Sequence, residues 1–136
     1  KIIFFRNFDT SLPNIFADRD KLHQIFLNLI RNAVEASENE IFIKVKTRFC
    51  GKWELAGTNL NPELNYIIIS IEDEGSGLKL EHRKKLFKPL FTTKDNGNGL
   101  GLSISYRLVQ AHKGLLSYIP GNSKGSIFQI FLPNQH

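Results

Sequence analysis

The sequence contains no methionine, a single cysteine and no long hydrophobic run. Because Cys50 has no partner for an internal disulfide, a reducing, cytoplasmic setting is expected. No segment approaches the ~20 consecutive apolar residues of a membrane-spanning helix, and no signal peptide is recognised. The chain opens on a lysine, so we expect it to be a fragment of a longer protein.

Strong charge bias is also missing. The net charge is +5, from 18 Lys and Arg against 13 Asp and Glu. These cations are scattered, with a modest concentration over residues 79–94, whereas a nucleic-acid-binding surface needs a clustered basic stripe. We therefore expect no nucleic-acid partner, and the basic stretch could equally face an anionic small molecule. The 136 residues, 41% of them hydrophobic, predict one domain spanning residues 1–136.

Hydrophobic periodicity predicts a sheet with helices on one face, an α/β sandwich. The nearly continuous apolar run at residues 65–73 is expected to be a strand buried on both faces. The other predicted strands cover residues 1–8, 15–18 and 39–49, with a closing hairpin made of "GLLSYIP" and "GSIFQIFLP". The predicted helices cover residues 19–37, 81–86 and 100–113, and the last is expected to end at Gly114 in a left-handed cap.

The first predicted helix carries polar residues at a helical spacing. Gln24, Asn28, Asn32 and Glu35 follow at steps of four, four and three, so they share one face. Asparagine is a poor helix former and needs partners when it is buried. This face is therefore either the floor of a polar pocket or a set of hydrogen bonds to neighbouring loops.

The buried strand at 65–73 ends in Asp73, and Gly75 and Gly77 follow it. A carboxylate at a strand end can accept a hydrogen bond from an exocyclic amine while glycine backbone closes on a flat ring. An ordinary Asp-Gly turn is the alternative.

A third stretch has glycines at the start of a helix, at positions 97, 99 and 101. Consecutive backbone N–H groups there would form an anion site. The spacing G-x-G-x-G differs from both the dinucleotide G-x-G-x-x-G motif and the P-loop. Thr92, Thr93 and Lys94 supply hydroxyls and a cation just upstream. A flexible loop is the alternative.

Four stretches, in this order, resemble the sequence motifs of histidine protein kinases. They correspond to the N box ("LNLIRNAVEA"), the first glycine box ("DEGSGL"), the F box ("LFKPLFTTK") and the second glycine box ("GNGLGLSI"). The wider superfamily includes gyrase, heat-shock chaperone and mismatch-repair ATPases. The resemblance covers about residues 17–133, and residues 39–65 with the F box are most similar to nitrogen-regulation sensor kinases. It implies a two-layer α/β sandwich of the Bergerat type, with a mixed sheet and a mobile ATP lid over about residues 79–99.

The resemblance also implies ATP and Mg²⁺ as cofactors. Asn32 would ligate the Mg²⁺ with Asn28 beside it, and these two would be the catalytic residues. Asp73 would accept from the adenine amino group while Gly75 and Gly77 close over the ring. The other implied cofactor-binding residues are Phe87 and Phe91, which would pack the lid; Thr93 and Lys94, near the phosphates; and Gly97, Gly99, Leu100 and Gly101 of the second glycine box.

The implied activity is transfer of the ATP γ-phosphoryl group to a histidine, for relay to a response regulator. No histidine here is followed by Glu or Asp, as the family's acceptor is, so the acceptor is expected on an upstream dimerisation domain. Each of the four is expected to be a surface or packing residue: His23, His82, His112 and His136. The parent would be a homodimer and this fragment a monomer.

Two departures from related sequences matter. The superfamily hydrolases carry a glutamate base four residues before the metal asparagine, where this chain has Asn28, which favours the kinase over a hydrolase. Lys113 in "AHKG" replaces a glycine of the usual "AHGG" and is expected to leave the helix end intact.

Overall fold

The computed structural model describes residues 2–37, 39–88 and 101–134. Their helices and strands follow the chain as β1 (Ile2–Phe8), α1 (Arg19–Ala36), β2 (Ile41–Phe49), a 3₁₀ helix (Lys52–Leu55), β3 (Tyr66–Asp73), α2 (Leu80–Arg83), α3 (Gly101–Ala111), β4 (Leu115–Pro120) and β5 (Ser126–Pro133).

These strands form one five-stranded mixed sheet in the order β1-β2-β3-β5-β4. β1 and β2 are parallel, and the other neighbouring pairs are antiparallel. The parallel pair requires a crossover, which α1 supplies. The predicted α/β sandwich with a mixed sheet is confirmed.

α1 and α3 lie on one face of the sheet and enclose the main core. Asp18 caps α1 by accepting a hydrogen bond from Lys21 N at 3.1 Å. The helix then buries Ile25, Leu29 and Ala33, whose four-residue spacing places them on one side. The strands oppose them with buried side chains, among them Ile43, Ile67, Ile69, Ile71, Ile130 and Leu132.

β3 is buried on both faces, as its apolar run predicts. Ile69 and Ile71 point into the main core beneath the helices. On the opposite face Tyr66 and Ile68 belong to a second, smaller cluster with Leu55. A short excursion between β2 and β3, over residues 50–65, therefore covers the outer face of the central strand.

The strand predicted at residues 15–18 is wrong. Residues 12–18 have no regular structure, although Leu12 and Ile15 pack against the main core. This segment must leave the sheet after β1 and rise to the start of α1 in the helix layer. Its apolar side chains therefore serve the core while its backbone joins no ladder.

The left-handed residue at the end of α3 is Lys113, with φ 61°, whereas we expected Gly114. The N–H of Lys113 donates to the carbonyl of Gln110 at 2.8 Å, and that of Gly114 to the carbonyl of Val109 at 3.0 Å. This is a Schellman motif with lysine at the position that favours glycine. Position 114 requires glycine for a steric reason, because a Cβ there would overlap the Phe131 carbonyl on β5.

Within the described part of the chain, no helix combines the length and the apolar character needed to cross a bilayer.

Candidate nucleotide site

The polar face of α1 lies along its seam with α3. Asn28 Nδ2 donates to the carbonyl oxygen of Gly101 at 3.5 Å and to Ser105 Oγ at 3.3 Å. Asn32 lies one turn further along α1 and is half-buried. Asn28 therefore joins α1 to the first turns of α3, directly after the glycine-rich stretch.

Asp73 is the last residue of β3 and is only 2% exposed. Its Oδ1 accepts a hydrogen bond from Gly75 N at 2.9 Å, which turns the chain sharply as it leaves the sheet. Burying a carboxylate costs free energy unless it is hydrogen-bonded. The carboxylate therefore lies at the strand end, where the sequence analysis weighs an acceptor for an exocyclic amine against an ordinary Asp-Gly turn.

The two glycines after Asp73 serve different geometric purposes. A Cβ at Gly75 would overlap the carbonyl of Ala36, in the last turn of α1. Gly77 has φ +77° and lies close to Gly125, whose carbonyl oxygen would be 3.2 Å from an added Cβ. Because Ala36 is one turn beyond Asn32, the loop after Asp73 adjoins the asparagine face of α1.

Gly125 is a residue of this region that the sequence analysis missed. It closes the turn between β4 and β5 with φ +83°, and a Cβ there would overlap the carbonyl of Asp73. The carbonyl of Gly125 also accepts a hydrogen bond from Gly121 N at 3.1 Å. The available signal was the second glycine of "GNSKG", which the sequence analysis placed only as the first residue of the closing strand.

Aromatic contacts connect the segment that follows α2 to α3 and to the β4–β5 hairpin. The Phe87 ring stacks on Tyr106 of α3, with centroids 4.9 Å apart, and meets Phe128 of β5 edge-on at 6.4 Å. Tyr118 also contacts Phe128, and the Arg83 guanidinium lies 5.6 Å from the centre of the Tyr118 ring. The start of the predicted lid is thus anchored to α3 and to the β4–β5 hairpin.

Several predicted site residues lie outside the described residues: Phe91, Thr93, Lys94, Gly97, Gly99 and Leu100. Gly101 is described and opens α3. Its φ is outside the left-handed region, and an added Cβ would meet no described atom within 4 Å. The described structure therefore brings together the adenine side of the predicted site and its asparagine helix.

Across residues 2–37, 39–88 and 101–134, no three His, Cys, Asp or Glu side chains cluster closely enough to hold a metal ion. The predicted magnesium ligand is instead the amide oxygen of Asn32, a hard donor that Mg²⁺ accepts alongside phosphate oxygens and water. Its half-buried place beside the Asp73 loop fits such a ligand.

The described histidines occupy packing or surface positions. His112 bridges two helices, since its Nε2 accepts from Asp18 N at 3.1 Å and its Nδ1 lies 2.8 Å from the Leu108 carbonyl oxygen. His23 is exposed, and His82 Nε2 lies 4.0 Å from the Glu81 carboxylate. His136 lies outside the described residues.

Residues 17–136 match the family model described as histidine kinase-, DNA gyrase B- and HSP90-like ATPase. The sensory histidine kinase/phosphatase NtrB of Azospirillum brasilense is 36% identical over 135 residues, covering 97% of this chain and 33% of that protein. Sporulation kinase E of Bacillus subtilis is 32% identical over 124 residues, covering 90% of this chain and 15% of that protein. The chain thus spans a third or less of the length of these relatives.

Solved structures agree with the fold. The catalytic domain of the histidine kinase ThkA superposes with a TM-score of 0.79 at 28% identity, covering 98% of this chain and 79% of that one. Full-length ShkA in complex with AMPPNP superposes with a TM-score of 0.78 at 25% identity, covering 99% of this chain and 26% of that one.

The α/β sandwich described above is the fold of these histidine kinase catalytic domains. The chain belongs to the histidine kinase-, DNA gyrase B- and HSP90-like ATPase family, and it is a catalytic ATPase domain of the two-component sensor histidine kinase type.

Proposed function

We propose that this domain binds Mg²⁺-ATP and transfers its γ-phosphoryl group to a histidine on the dimerisation domain of its parent protein, for relay to a response regulator. One observation carries the proposal. Asp73 is buried at the end of β3, and the loop that follows it packs against the helix bearing Asn28 and Asn32. An adenine acceptor and a metal ligand would thereby face one nucleotide.

Asp73 would accept a hydrogen bond from the adenine amino group, with Gly75 and Gly77 beside the ring. A guanine presents a carbonyl oxygen at the corresponding position, which cannot donate to a carboxylate. Because the carboxylate is buried, a base that offers it no hydrogen bond would displace water without replacing it, which costs free energy. The domain should therefore prefer ATP and ADP over GTP.

The amide oxygen of Asn32 would hold the Mg²⁺, which would supply positive charge to neutralise the phosphates when bound. Thr93 and Lys94 would approach the phosphates, and Gly97, Gly99, Leu100 and Gly101 would offer backbone contacts. Phe87, stacked on Tyr106, would hold the near end of the lid, and Phe91 would pack further along it. Positioning and charge neutralisation would supply the catalysis.

The same family contains hydrolases, so transfer to water is the competing reaction. Asn28 opposes it, because its amide donates to Gly101 and Ser105 and cannot accept a proton from water at neutral pH. A neutral imidazole is already a nucleophile and needs no such base. We propose that the parent, whether soluble or membrane-anchored, is a homodimer with this domain in the cytoplasm, and that the domain by itself is monomeric.

Thermal unfolding with and without nucleotide tests binding. Mg²⁺-ATP or ADP at ~100 times its dissociation constant should add ~2.7 kcal/mol to the free energy of unfolding. Asp73→Asn should remove the preference for ATP over GTP, whereas Glu74→Gln, which alters the exposed neighbouring carboxylate, should retain it. No shift at millimolar nucleotide would reject the proposed site.

Radiolabelled ATP tests transfer. The domain should label a dimerisation domain supplied from its own parent, and it should not label itself. Asn32→Ala should abolish the Mg²⁺ dependence of nucleotide binding, while Arg31→Ala, an exposed neighbour on α1, should keep it. Acid-labile phosphate on this chain would mean that one of its own histidines is an acceptor.

A further inference from the structure

α1 and α3 are joined at two separate places. Near the predicted site, Asn28 donates to Gly101 and Ser105 in the first turns of α3. At the other end, His112 follows the last turn of α3 and accepts from the backbone of Asp18, the N-cap of α1. The residue order at the two joints runs in opposite directions, so the helices are antiparallel.

The partners of His112 determine which ring nitrogen carries the proton. The Leu108 carbonyl only accepts, so Nδ1 must carry a hydrogen to bond it at 2.8 Å. The Asp18 backbone N–H only donates, so Nε2 must be bare to accept it at 3.1 Å. A neutral imidazole with one defined tautomer therefore connects the end of α3 to the start of α1.

The joint at Asn28 is sensitive to how the helices are spaced. Its two hydrogen bonds measure 3.5 Å and 3.3 Å, longer than the ~2.7–3.2 Å typical of N–H···O bonds. A slight change in the tilt of α3 against α1 would break them. α3 begins at Gly101, so its tilt also sets where Gly101 lies relative to Asn28.

We propose that His112 is a positioning residue for the nucleotide site, acting through the Asp18 hydrogen bond that sets the tilt of α3 against α1. The inference rests on the proposed nucleotide function. His112 touches neither nucleotide nor metal and acts only by holding Asn28 and the start of α3 in register.

Two substitutions separate the hydrogen bond from the rest of the side chain. His112→Asn can still donate to the Leu108 carbonyl from its amide but is too short to reach Asp18 N. His112→Gln is longer, and its amide oxygen can take the place of Nε2. Thr58→Ala is a stability control, because it removes two hydrogen bonds from the remote 50–65 excursion.

Two readouts decide the proposal. In nucleotide-free protein, His112→Asn should shift the NMR signals of the Asn28 side-chain amide and the Gly101 backbone amide, and His112→Gln should leave them near their wild-type positions. By calorimetry, His112→Asn should weaken Mg²⁺-ADP binding by about two- to tenfold, the range that one net hydrogen bond allows. His112→Gln and Thr58→Ala should bind as the wild type does.

Unchanged Asn28 signals and unchanged affinity in folded His112→Asn would overturn the proposal. Equal losses in His112→Asn and His112→Gln would also overturn it, because ring packing rather than the hydrogen bond would then be responsible. If Thr58→Ala weakened binding as much, lowered stability alone would explain the effect. If the wild type bound no Mg²⁺-ADP, the proposed function would fail, and the NMR comparison would still decide whether His112 positions α3.

Discussion

Gly75 and Gly101 both belong to predicted glycine motifs, but a methyl group would meet different surroundings at the two positions. At Gly75 it would overlap the Ala36 carbonyl, and at Gly101 it would meet no described atom within 4 Å. Gly75→Ala should therefore lower the free energy of unfolding by ~1–3 kcal/mol, as overpacking does. Gly101→Ala should be neutral or stabilising by up to ~1 kcal/mol, because alanine favours a helix over glycine.

Thermal unfolding of the two variants checks this contrast, with nucleotide titration alongside. If the Gly101 backbone lies against phosphate, the methyl group of Gly101→Ala should crowd the ligand and weaken binding in a fully folded domain. Equal melting temperatures for Gly75→Ala and the wild type would mean that the Asp73 loop can move away from α1.

Lys113 is the one non-glycine residue with a positive φ in the described part of the chain. The left-handed conformation costs an ordinary residue ~1–2 kcal/mol, and glycine avoids this cost while losing ~0.5–1 kcal/mol more entropy on folding. Lys113→Gly should therefore stabilise the domain by ~0.5–1 kcal/mol.

Urea unfolding is the measurement for Lys113, with the midpoint rising and the slope unchanged. Lys113→Ala is the matched control, since it removes the lysine side chain but keeps the left-handed strain. A gain as large in Lys113→Ala would show that the charge, and not the backbone, is responsible.

Among the larger elements, the excursion at residues 50–65 shows what periodicity can and cannot predict. Its glycines, asparagines and proline predict a loop, and the segment contains only one short 3₁₀ helix. Its packing is not visible in the sequence, because Leu55, Leu60 and Leu64 have no regular spacing. They reach Tyr66 and Ile68 only after β3 is in place.

The same limit applies to the candidate site. The sequence correctly predicts that a buried strand ends at Asp73 and that Asn28 and Asn32 lie on one helix, and their roles toward a nucleotide stay predictions. Gly125 lies 52 positions beyond Asp73, and its contact with the Asp73 carbonyl exists only because β5 pairs with β3. Likewise the bond between Asp18 and His112 depends on how two helices cross, which neither helix encodes alone.

An ion pair fixes the start of the excursion. Arg48 binds Glu54 through both guanidinium nitrogens, at 2.7 and 2.8 Å, and Glu54 also accepts from Gly51 N at 2.7 Å. The Arg48 hydrogen bonds hold the pKa of Glu54 below its ordinary value of 4.5. Since Arg48 is partly exposed, we expect Glu54→Gln to lower the free energy of unfolding by only ~0.5–1 kcal/mol near neutral pH.

The pH dependence of that loss follows from the direction of the pKa shift. A lowered pKa in the folded state gives a contribution that is complete above the unfolded value and disappears as pH falls through the folded value. The difference between wild type and Glu54→Gln should thus be constant above about pH 5.5 and shrink below about pH 4.5. Glu63→Gln, an exposed carboxylate in the same excursion, should show little difference at any pH. A difference that grows on acidification would contradict the assignment.

At the scale of the whole molecule, the sheet and helix layers meet at the candidate site from three directions. β3 supplies Asp73, α1 supplies Asn28 and Asn32, and the β4–β5 turn supplies Gly125 beneath the Asp73 loop. Because regular elements hold these groups, we expect the proposed adenine side to need little rearrangement when nucleotide binds.

The fate of the γ-phosphoryl group is a property of the whole domain, and Asn28 makes it testable. Hydrolysis needs a group that orients water and takes its proton, and such help is worth ~10²–10⁴ in rate. Phosphate release by this domain should therefore be slower by about that factor than in a family member with a glutamate at this position. The measurement is phosphate release with Mg²⁺-ATP, beside phosphotransfer to the parent's dimerisation domain.

Asn28→Glu sharpens that test. It places a carboxylate on α1, one turn before Asn32 and next to the start of α3. We expect phosphate release to rise and phosphotransfer to fall, since water would then compete for the same phosphoryl group. Asn28→Gln is the matched control: it is isosteric with glutamate but accepts no proton, so it should not gain hydrolysis. Brisk phosphate release by the unmodified domain, without transfer to histidine, would contradict the proposed kinase function and favour hydrolysis as the activity. Because position 28 carries an amide, another group would then have to activate the water.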